Sequence, residues 1–339
     1  LNGAAADGEN VIGKTIEDYK ILCRDYTVSL DNLQRVWEAK LEPVFPCRIK
    51  TTDTTPETYS NANRIQRSAS IKVAQPRVLI PVFPGTNCEY DTARAFERAG
   101  AKAETIVIRN LSASAIEESV NVFERAIKQS QIIMLPGGFS GGDEPEGSGK
   151  FITAFFRNAK IKDAVHDLLQ NRDGLMLGIC NGFQALVKLG LVPFGEIIDM
   201  ADDAPTLTFN TIARHQSMMV TTRIASNKSP WLYGCEVGDI HTIPISHGEG
   251  RFVAPDRIIQ QMANNGQIAT QYVDLDGNPT MDIRYNPNTS VEAIEGITSP
   301  DGRVLGKMGH SERIGSFVGK NVPGSKDQKI FESGVAYFK

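Results

Sequence analysis

Four short, mostly apolar runs, at 78–83, 105–108, 132–135 and 175–179, constrain this chain more than any other feature. A strand wetted on one face alternates apolar and polar residues, whereas a strand covered on both faces reads as a continuous apolar run. Helical patterns follow the runs. At 91–99, Ala95, Phe96 and Ala99 share a face and Gly100 is the stop. At 114–130, Ser114 is placed to cap, with Glu117 at capping-box spacing. Further helices are expected at 161–169 and 181–189. Strands alternating with helices imply a parallel sheet with helices on both faces. After Pro193 the pattern changes to strands at 207–212, 217–224, 242–246 and 268–273, with turn signals at Asp276-Gly277 and Asp301-Gly302. This predicts a β-rich second half packed on the parallel sheet.

Upstream of Arg77 the texture differs. Residues 51–75 are polar and poor in large apolar side chains, and read as a linker. Residues 1–50 contain one amphipathic helical pattern, Leu30, Leu33, Val36 and Trp37, with Ser29 or Asp31 as its cap. A lone helix cannot bury its own apolar face, so this segment is expected to pack on another domain. The expected organisation is therefore 1–50, a linker at 51–75, and one domain at 76–339. The chain starts at Leu1 rather than Met, as expected of a processed chain or a piece of a longer one.

With 339 residues, 41% of them hydrophobic, the chain can bury a sizeable core. The net charge of −4 argues against a nucleic-acid partner. No stretch reaches the roughly 20 apolar residues of a membrane helix. The five cysteines, Cys23, Cys47, Cys88, Cys180 and Cys235, are scattered and show no Cys-x-x-Cys spacing. Neither a disulfide framework nor a metal site is expected, and a cytoplasmic location fits.

The strongest chemical signal is Gly178-Ile179-Cys180-Asn181-Gly182, where a buried strand meets a helix. Small flanking residues let the backbone turn sharply there. The helix N-terminus then offers free N–H groups and partial positive charge, which favour a thiolate and an oxyanion. A buried structural cysteine is the competing account. A thiol nucleophile needs a base, and the base an orienting group. His310 lies in Gly309-His310-Ser311-Glu312-Arg313, and in an extended segment Glu312 would lie on the same side as His310. His247, in Ser246-His247-Gly248-Glu249-Gly250, has the same His-x-Glu spacing, and spacing alone leaves the two as rivals. The glycine run Leu135-Pro136-Gly137-Gly138-Phe139-Ser140-Gly141-Gly142-Asp143 can aim backbone N–H groups at a ligand, completing an oxyanion hole opposite the Asn181 N–H. No Gly-Lys-Ser/Thr follows it, which argues against a phosphate loop.

These motifs, in this order, resemble class I glutamine amidotransferases, whose fold is a flavodoxin-like sheet carrying a Cys-His-Glu triad. The match narrows with Phe83-Pro84-Gly85-Thr86-Asn87-Cys88, with Phe183-Gln184 after the cysteine motif, and with His247-Gly248-Glu249-Gly250-Arg251. These look like the C-terminal glutaminase domain of the large single-chain phosphoribosylformylglycinamidine synthases. The resemblance implies that Cys180 is the nucleophile, His310 the base and acid, and Glu312 its orienter. It implies that Gly137, Gly138, Asn181 and Gln184 serve glutamine and the oxyanion, with His247 lining the pocket. It further implies glutamine as substrate and a synthetase domain of the same polypeptide as partner. Residues 1–75 would be the tail of that synthetase. ATP and magnesium would bind the synthetase, and no cofactor would bind this segment. The family's Pro-His-Pro-Glu-Arg is Gly309-His310-Ser311-Glu312-Arg313 here, and losing two prolines is expected to loosen the segment. Two other classes stay open: another cysteine hydrolase on a related sheet, and a non-catalytic interaction module.

Overall fold

The computed structural model describes residues 13–49, 54–64, 68–140 and 149–339. They fall into two compact units, Leu1–Lys50 and Thr51–Lys339.

In the smaller unit, β1 (Lys20–Cys23) and β2 (Tyr26–Ser29) pair antiparallel and lead into α1 (Leu30–Ala39). Of the two candidate caps, Ser29 acts, its hydroxyl accepting the Asn32 N–H at 3.3 Å. No residue of α1 is buried, and Trp37 is 80% exposed. The apolar stripe is present but uncovered among the described residues.

The larger unit is built on one nine-stranded sheet. Its first half runs β3 (Arg77–Val82), α2 (Glu89–Arg98), β4 (Lys102–Val107), α3 (Ala113–Gln129), β5 (Ile132–Leu135), α4 (Lys150–Phe156), α5 (Ala159–Gln170), β6 (Leu175–Ile179), α6 (Asn181–Leu189) and a short turn, α7 (Leu191–Phe194). The second half runs β7 (Thr206–Thr208), β8 (Gln216–Ile224), β9 (Ile240–His247), β10 (Arg251–Val253), α8 (Asp256–Asn264), β11 (Ile268–Tyr272), β12 (Ile294–Thr298), β13 (Val304–Lys307) and α9 (Ile330–Ala336). The strand order is β4-β3-β5-β6-β13-β12-β11-β8-β9, while β7 and β10 form a separate pair. The four ladders from β4 to β13 are parallel and the four from β13 to β9 antiparallel.

Right-handed crossovers dictate where the helices go. The step from β3 to β4 moves one way along the sheet, and the steps to β5 and β6 move the other, so α2 and α3 lie on opposite faces. Accordingly α3, α5, α4 and α6 pack in succession, and α2 packs with α9. Every residue of β5 and β6 is buried, as the continuous apolar runs required. Fully burying one such Leu, Ile or Met side chain contributes about 1.5–3 kcal/mol.

Three expectations need correction. The second half does not pack onto the parallel sheet. It extends that sheet sideways, because β13 inserts parallel beside β6 and the antiparallel strands pair outward from it. The cap of α3 is Ser112, not Ser114. Ser112 is the extended residue and its hydroxyl accepts the Ala115 N–H, whereas Ser114 already lies inside the first turn. The polar stretch read as a linker is tied down where it is described. Asn61 N–H donates to Ala225 O at 2.8 Å, Ala69 N–H to Tyr337 O at 2.9 Å and Val73 N–H to Phe338 O at 2.8 Å. Its backbone groups find acceptors elsewhere in the larger unit, to which it belongs, although its side chains bury little.

Candidate active site

The sheet order sets the site. Adjacent parallel strands end at the same level, and β6 and β13 are paired through Gly178↔Gly306 and Ile179↔Lys307. Cys180 is the first residue past β6 and His310 the third past β13. The two therefore meet at the carboxyl end of the sheet, where open α/β sheets hold their ligands.

Cys180 sits on the sharp turn that its motif predicted. Its φ of 53° and ψ of −107° are sparsely populated for a residue with a side chain, a conformation costing about 1–3 kcal/mol. The turn needs Gly182, since a Cβ there would lie 2.0 Å from Leu135 O. Sγ is 3.7 Å from Ser246 O at the end of β9.

His310 and Glu312 are both buried, with Nδ1 2.6 Å from Oε1. Burial alone would disfavour the imidazolium, but the Glu312 carboxylate and the hydrogen bond and charge of Cys180 outweigh it. Its pKa is held well above the usual histidine value. Burial likewise works to raise Glu312, yet the His310 charge and hydrogen bond prevail and hold its pKa low. The imidazole thus stands between a carboxylate and a thiol.

The segment carrying this pair is braced rather than loose, which corrects the expectation drawn from the missing prolines. Gly309 N–H donates to Glu295 Oε1 at 2.6 Å, a bond that proline could not make. Ser311 Oγ donates to Gln328 Oε1 at 2.5 Å and accepts from Lys307 Nζ at 3.0 Å. Lys307 also reaches Gly309 O at 2.8 Å and pairs with Glu295 at 3.1 Å. Both charges are fully buried within β13 and β12. His310 N–H is fixed to Pro244 O of β9 at 2.8 Å.

The glycine loop closes over this arrangement. A Cβ at Gly137 would sit 2.6 Å from His310 Cε1, and one at Gly138, whose φ is +147°, would sit 2.6 Å from Gly85 O. The loop is stitched to the Phe83–Cys88 turn by Phe139 N–H to Gly85 O at 2.8 Å and by Asn87 and Cys88 N–H to Gly137 O, both at 3.3 Å. The Gly138 N–H has no acceptor among the described residues. The Asn181 N–H lies in the first turn of α6, where helix geometry leaves it without a partner. Gly141, Gly142 and Asp143 lie outside the described residues.

Two expected pocket residues do different work from each other. Gln184 Oε1 accepts from Asn181 Nδ2 at 2.9 Å, while its Nε2 donates to Glu249 O at 2.5 Å. Asn181 Oδ1 in turn accepts from Ser140 Oγ at 2.6 Å. Both ends of the Gln184 amide are engaged by protein, so it forms a strut between loops. His247 is fully buried, and neither ring nitrogen has a hydrogen-bond partner among the described residues. Burial, then the nearby His310 and His215, push its pKa down to about 3.

Cys88 was expected only to shape the turn near the site, Arg313 only as part of the His310-Ser311-Glu312-Arg313 run, and Lys307 and Glu295 were not expected beside Cys180, His310 and Glu312 at all. Cys88 Sγ lies 3.8 Å from His310 Nδ1 and 3.1 Å from Arg313 Nη2. The one signal for Lys307 and Glu295 was a single charge in each of two otherwise apolar strands.

A family model for CobB/CobQ-like glutamine amidotransferase domains matches residues 75–338. Phosphoribosylformylglycinamidine synthase subunit PurQ of Methanococcus maripaludis is 38% identical over 247 residues, which cover 72% of this chain and 84% of that protein. The subunit of the same name from Aquifex aeolicus is 32% identical over 246 residues, covering 73% and 92%. Among solved structures, that of PurLQS from Thermotoga maritima matches with a TM-score of 0.57 and 26% identity, over 78% of this chain and all of the matched one. With its matched span covering the sheet, the cysteine turn and the His-x-Glu segment alike, the chain belongs to the CobB/CobQ-like glutamine amidotransferase family.

Proposed function

We propose that this chain hydrolyses glutamine and passes the ammonia to a synthetase that converts formylglycinamide ribonucleotide to its amidine. The observation that carries the reading is the buried line of Cys180, His310 and Glu312 at the ends of two paired strands. The PurQ relatives supply the synthase assignment.

The Cys180 thiolate attacks the side-chain amide carbon of glutamine. The N–H groups of Gly138 and Asn181 hold the oxyanion that forms. His310 protonates the departing ammonia, leaving a glutamyl thioester. It then takes a proton from water, whose oxygen displaces Sγ and releases glutamate. Glu312 keeps the imidazole in the productive tautomer. Gln184 acts through Asn181, holding the start of α6, while neutral His247 lines the pocket without exchanging protons.

ATP and magnesium belong to the synthetase in this scheme. Residues 1–50, with their uncovered α1 stripe, are the end of that synthetase, and the two activities share one polypeptide in the cytoplasm. No helix among the described residues is long and apolar enough to cross a membrane. A free glutaminase would waste glutamine, so the chain alone is slow until a loaded synthetase partner is present.

The test is mass spectrometry after exposure to a glutamine-mimicking diazo-ketone, alongside glutaminase assays. Labelling is expected on Cys180 alone and blocked by excess glutamine, and Cys180→Ala should abolish turnover. Activity retained by Cys180→Ala would sink the assignment, and a panel of peptides and esters would expose a different hydrolase.

A further inference from the structure

Cys88 has no part in the chemistry above, yet its sulfur is buried against the catalytic pair. Cys88 Sγ, a His310 nitrogen and a Glu312 oxygen lie within 4.8 Å of one another. Sγ and Nδ1 are 3.8 Å apart, and Nδ1 and Oε1 are 2.6 Å apart. Two ligands of a tetrahedral zinc ion lie roughly 3.5 Å from each other, given bonds of about 2.0–2.3 Å. The sulfur and nitrogen are already near that spacing, and the carboxylate has to move outward by roughly 1 Å to match it.

A second observation points to a ligand. Glu312 Oε2 is buried and has no hydrogen-bond partner among the described residues. A way in also exists. Glu312 and Arg313 line a cavity of about 380 Å³ together with Asp91, Arg94 and Phe317. Arg313, whose guanidinium rests on Cys88 Sγ at 3.1 Å, has this cavity to swing into.

We propose that Cys88, His310 and Glu312 form an inhibitory site for a soft divalent cation, Zn2+ or Cd2+, which takes the imidazole away from its carboxylate. Thiolate and imidazole select such ions over magnesium or calcium, which prefer oxygen ligands throughout. Binding forms bonds from the metal to Sγ, Nδ1 and a Glu312 oxygen. The ion sheds waters, and one proton from the Cys88 thiol and one from Nδ1 go to solvent. His310 then can neither hold its tautomer against Glu312 nor carry a proton toward Cys180. Glutamine and the ion occupy opposite sides of the ring, so inhibition is non-competitive. The site was invisible in cysteine spacing because its ligands come from the start of α2 and from a segment more than 200 residues later.

The inhibitory arm rests on the amidotransferase reading, but metal binding does not, and the experiment separates them. The unmodified chain and its Cys88→Ser, Glu312→Gln and Cys180→Ala variants are titrated with Cd2+, following the ultraviolet thiolate-to-cadmium charge-transfer band. Zn2+ inhibition of glutaminase is measured in parallel. The band should persist in Cys180→Ala, disappear for one bound equivalent in Cys88→Ser, and require more Cd2+ in Glu312→Gln. The half-inhibiting Zn2+ concentration for Cys88→Ser, relative to its own uninhibited rate, should rise at least tenfold, about the smallest loss caused by removing even an outer-shell partner of a metal. A band lost in Cys180→Ala and kept in Cys88→Ser puts the ion on the nucleophile and overturns the site. Unchanged titration of Glu312→Gln overturns it even if Cys88→Ser does not fold. Absence of glutaminase activity with the Cd2+ pattern intact overturns the functional reading alone.

Discussion

The chain contains two His-x-Glu triplets, His310-Ser311-Glu312 and His247-Gly248-Glu249, and the fold brings both histidines into the same buried neighbourhood. They behave oppositely. His310 is 2.6 Å from its own glutamate, whose charge helps hold the imidazole pKa well above the usual value. Among the described residues His247 has no partner on either nitrogen, and it is held neutral, while its neighbour Glu249 offers its backbone carbonyl to Gln184. The difference lies in the backbone. The segment after β13 is fastened at Gly309, His310 and Ser311, so that the i and i+2 side chains converge. His247 ends an antiparallel strand, and its ring lies so close to Gly250 that a Cβ there would be 2.3 Å from it. Equal spacing in sequence therefore does not imply equal chemistry, because a buried imidazole takes its charge from its partners.

The largest expected effect tests whether one histidine alone moves protons. His310→Asn should lower glutaminase kcat by on the order of 10³-fold, the scale of general acid–base catalysis. Comparable losses in His247→Asn would erase the distinction. Removing one member of the brace that His247 lacks comes next. Lys307→Met should cost about 3–5 kcal/mol in urea unfolding, because it leaves Glu295 charged, buried and unpaired. The double variant Lys307→Met with Glu295→Leu should recover part of that loss. Glu312→Gln should lower kcat by on the order of 10²-fold while leaving KM nearly unchanged, since it spoils the tautomer rather than the glutamine pocket.

The smallest effect separates the two rings by the sign of their pH dependence. His310 has a folded pKa above the usual 6.5, so its stabilisation is complete below pH 6.5 and fades as pH rises through the raised value. Glu312 has a depressed pKa, so its share is present above pH 4.5 and fades as pH falls through the folded value. His247 runs the other way from His310. Its folded pKa of about 3 lies below 6.5, so its neutral form is fully accommodated above pH 6.5 and stability falls as pH drops toward 3. Urea unfolding between pH 6 and 4 should show His247→Gln losing stability less steeply than the unmodified chain, by up to about 1.4 kcal/mol per pH unit. Equal slopes would mean that the ring is hydrated or protonated in the folded state.

Much of this was legible beforehand, for identifiable reasons. Strands buried on both faces announce themselves as apolar runs, so β3, β5 and β6 appear within one residue of their expected bounds. The cysteine turn was readable because its geometry demands small residues at Gly178 and Gly182. By contrast, β12 and β13 went unread. Glu295 and Lys307 interrupt their apolar pattern, and Gly296 and Gly306 weaken it. Those features exist because the two strands hold a buried ion pair and make room for Phe183, whose ring would meet a Cβ at Gly306 at 2.2 Å. Cys88 was conspicuous but mute, since its neighbours His310 and Arg313 are defined only by tertiary contact.

The place of β13 has a consequence for how the molecule comes into being. It is the middle strand of nine, yet the last strand made, and β12, its neighbour on one side, is the strand made just before it. On the ribosome, a chain ending before residue 304 has β6 with one open edge and no partner to link it to the antiparallel strands. His310 and Glu312 also arrive only with the residues that follow that strand. Synthesis thus orders the events: Cys180 is made early, the two halves of the sheet are joined late, and Cys180, His310 and Glu312 come together only once they are joined.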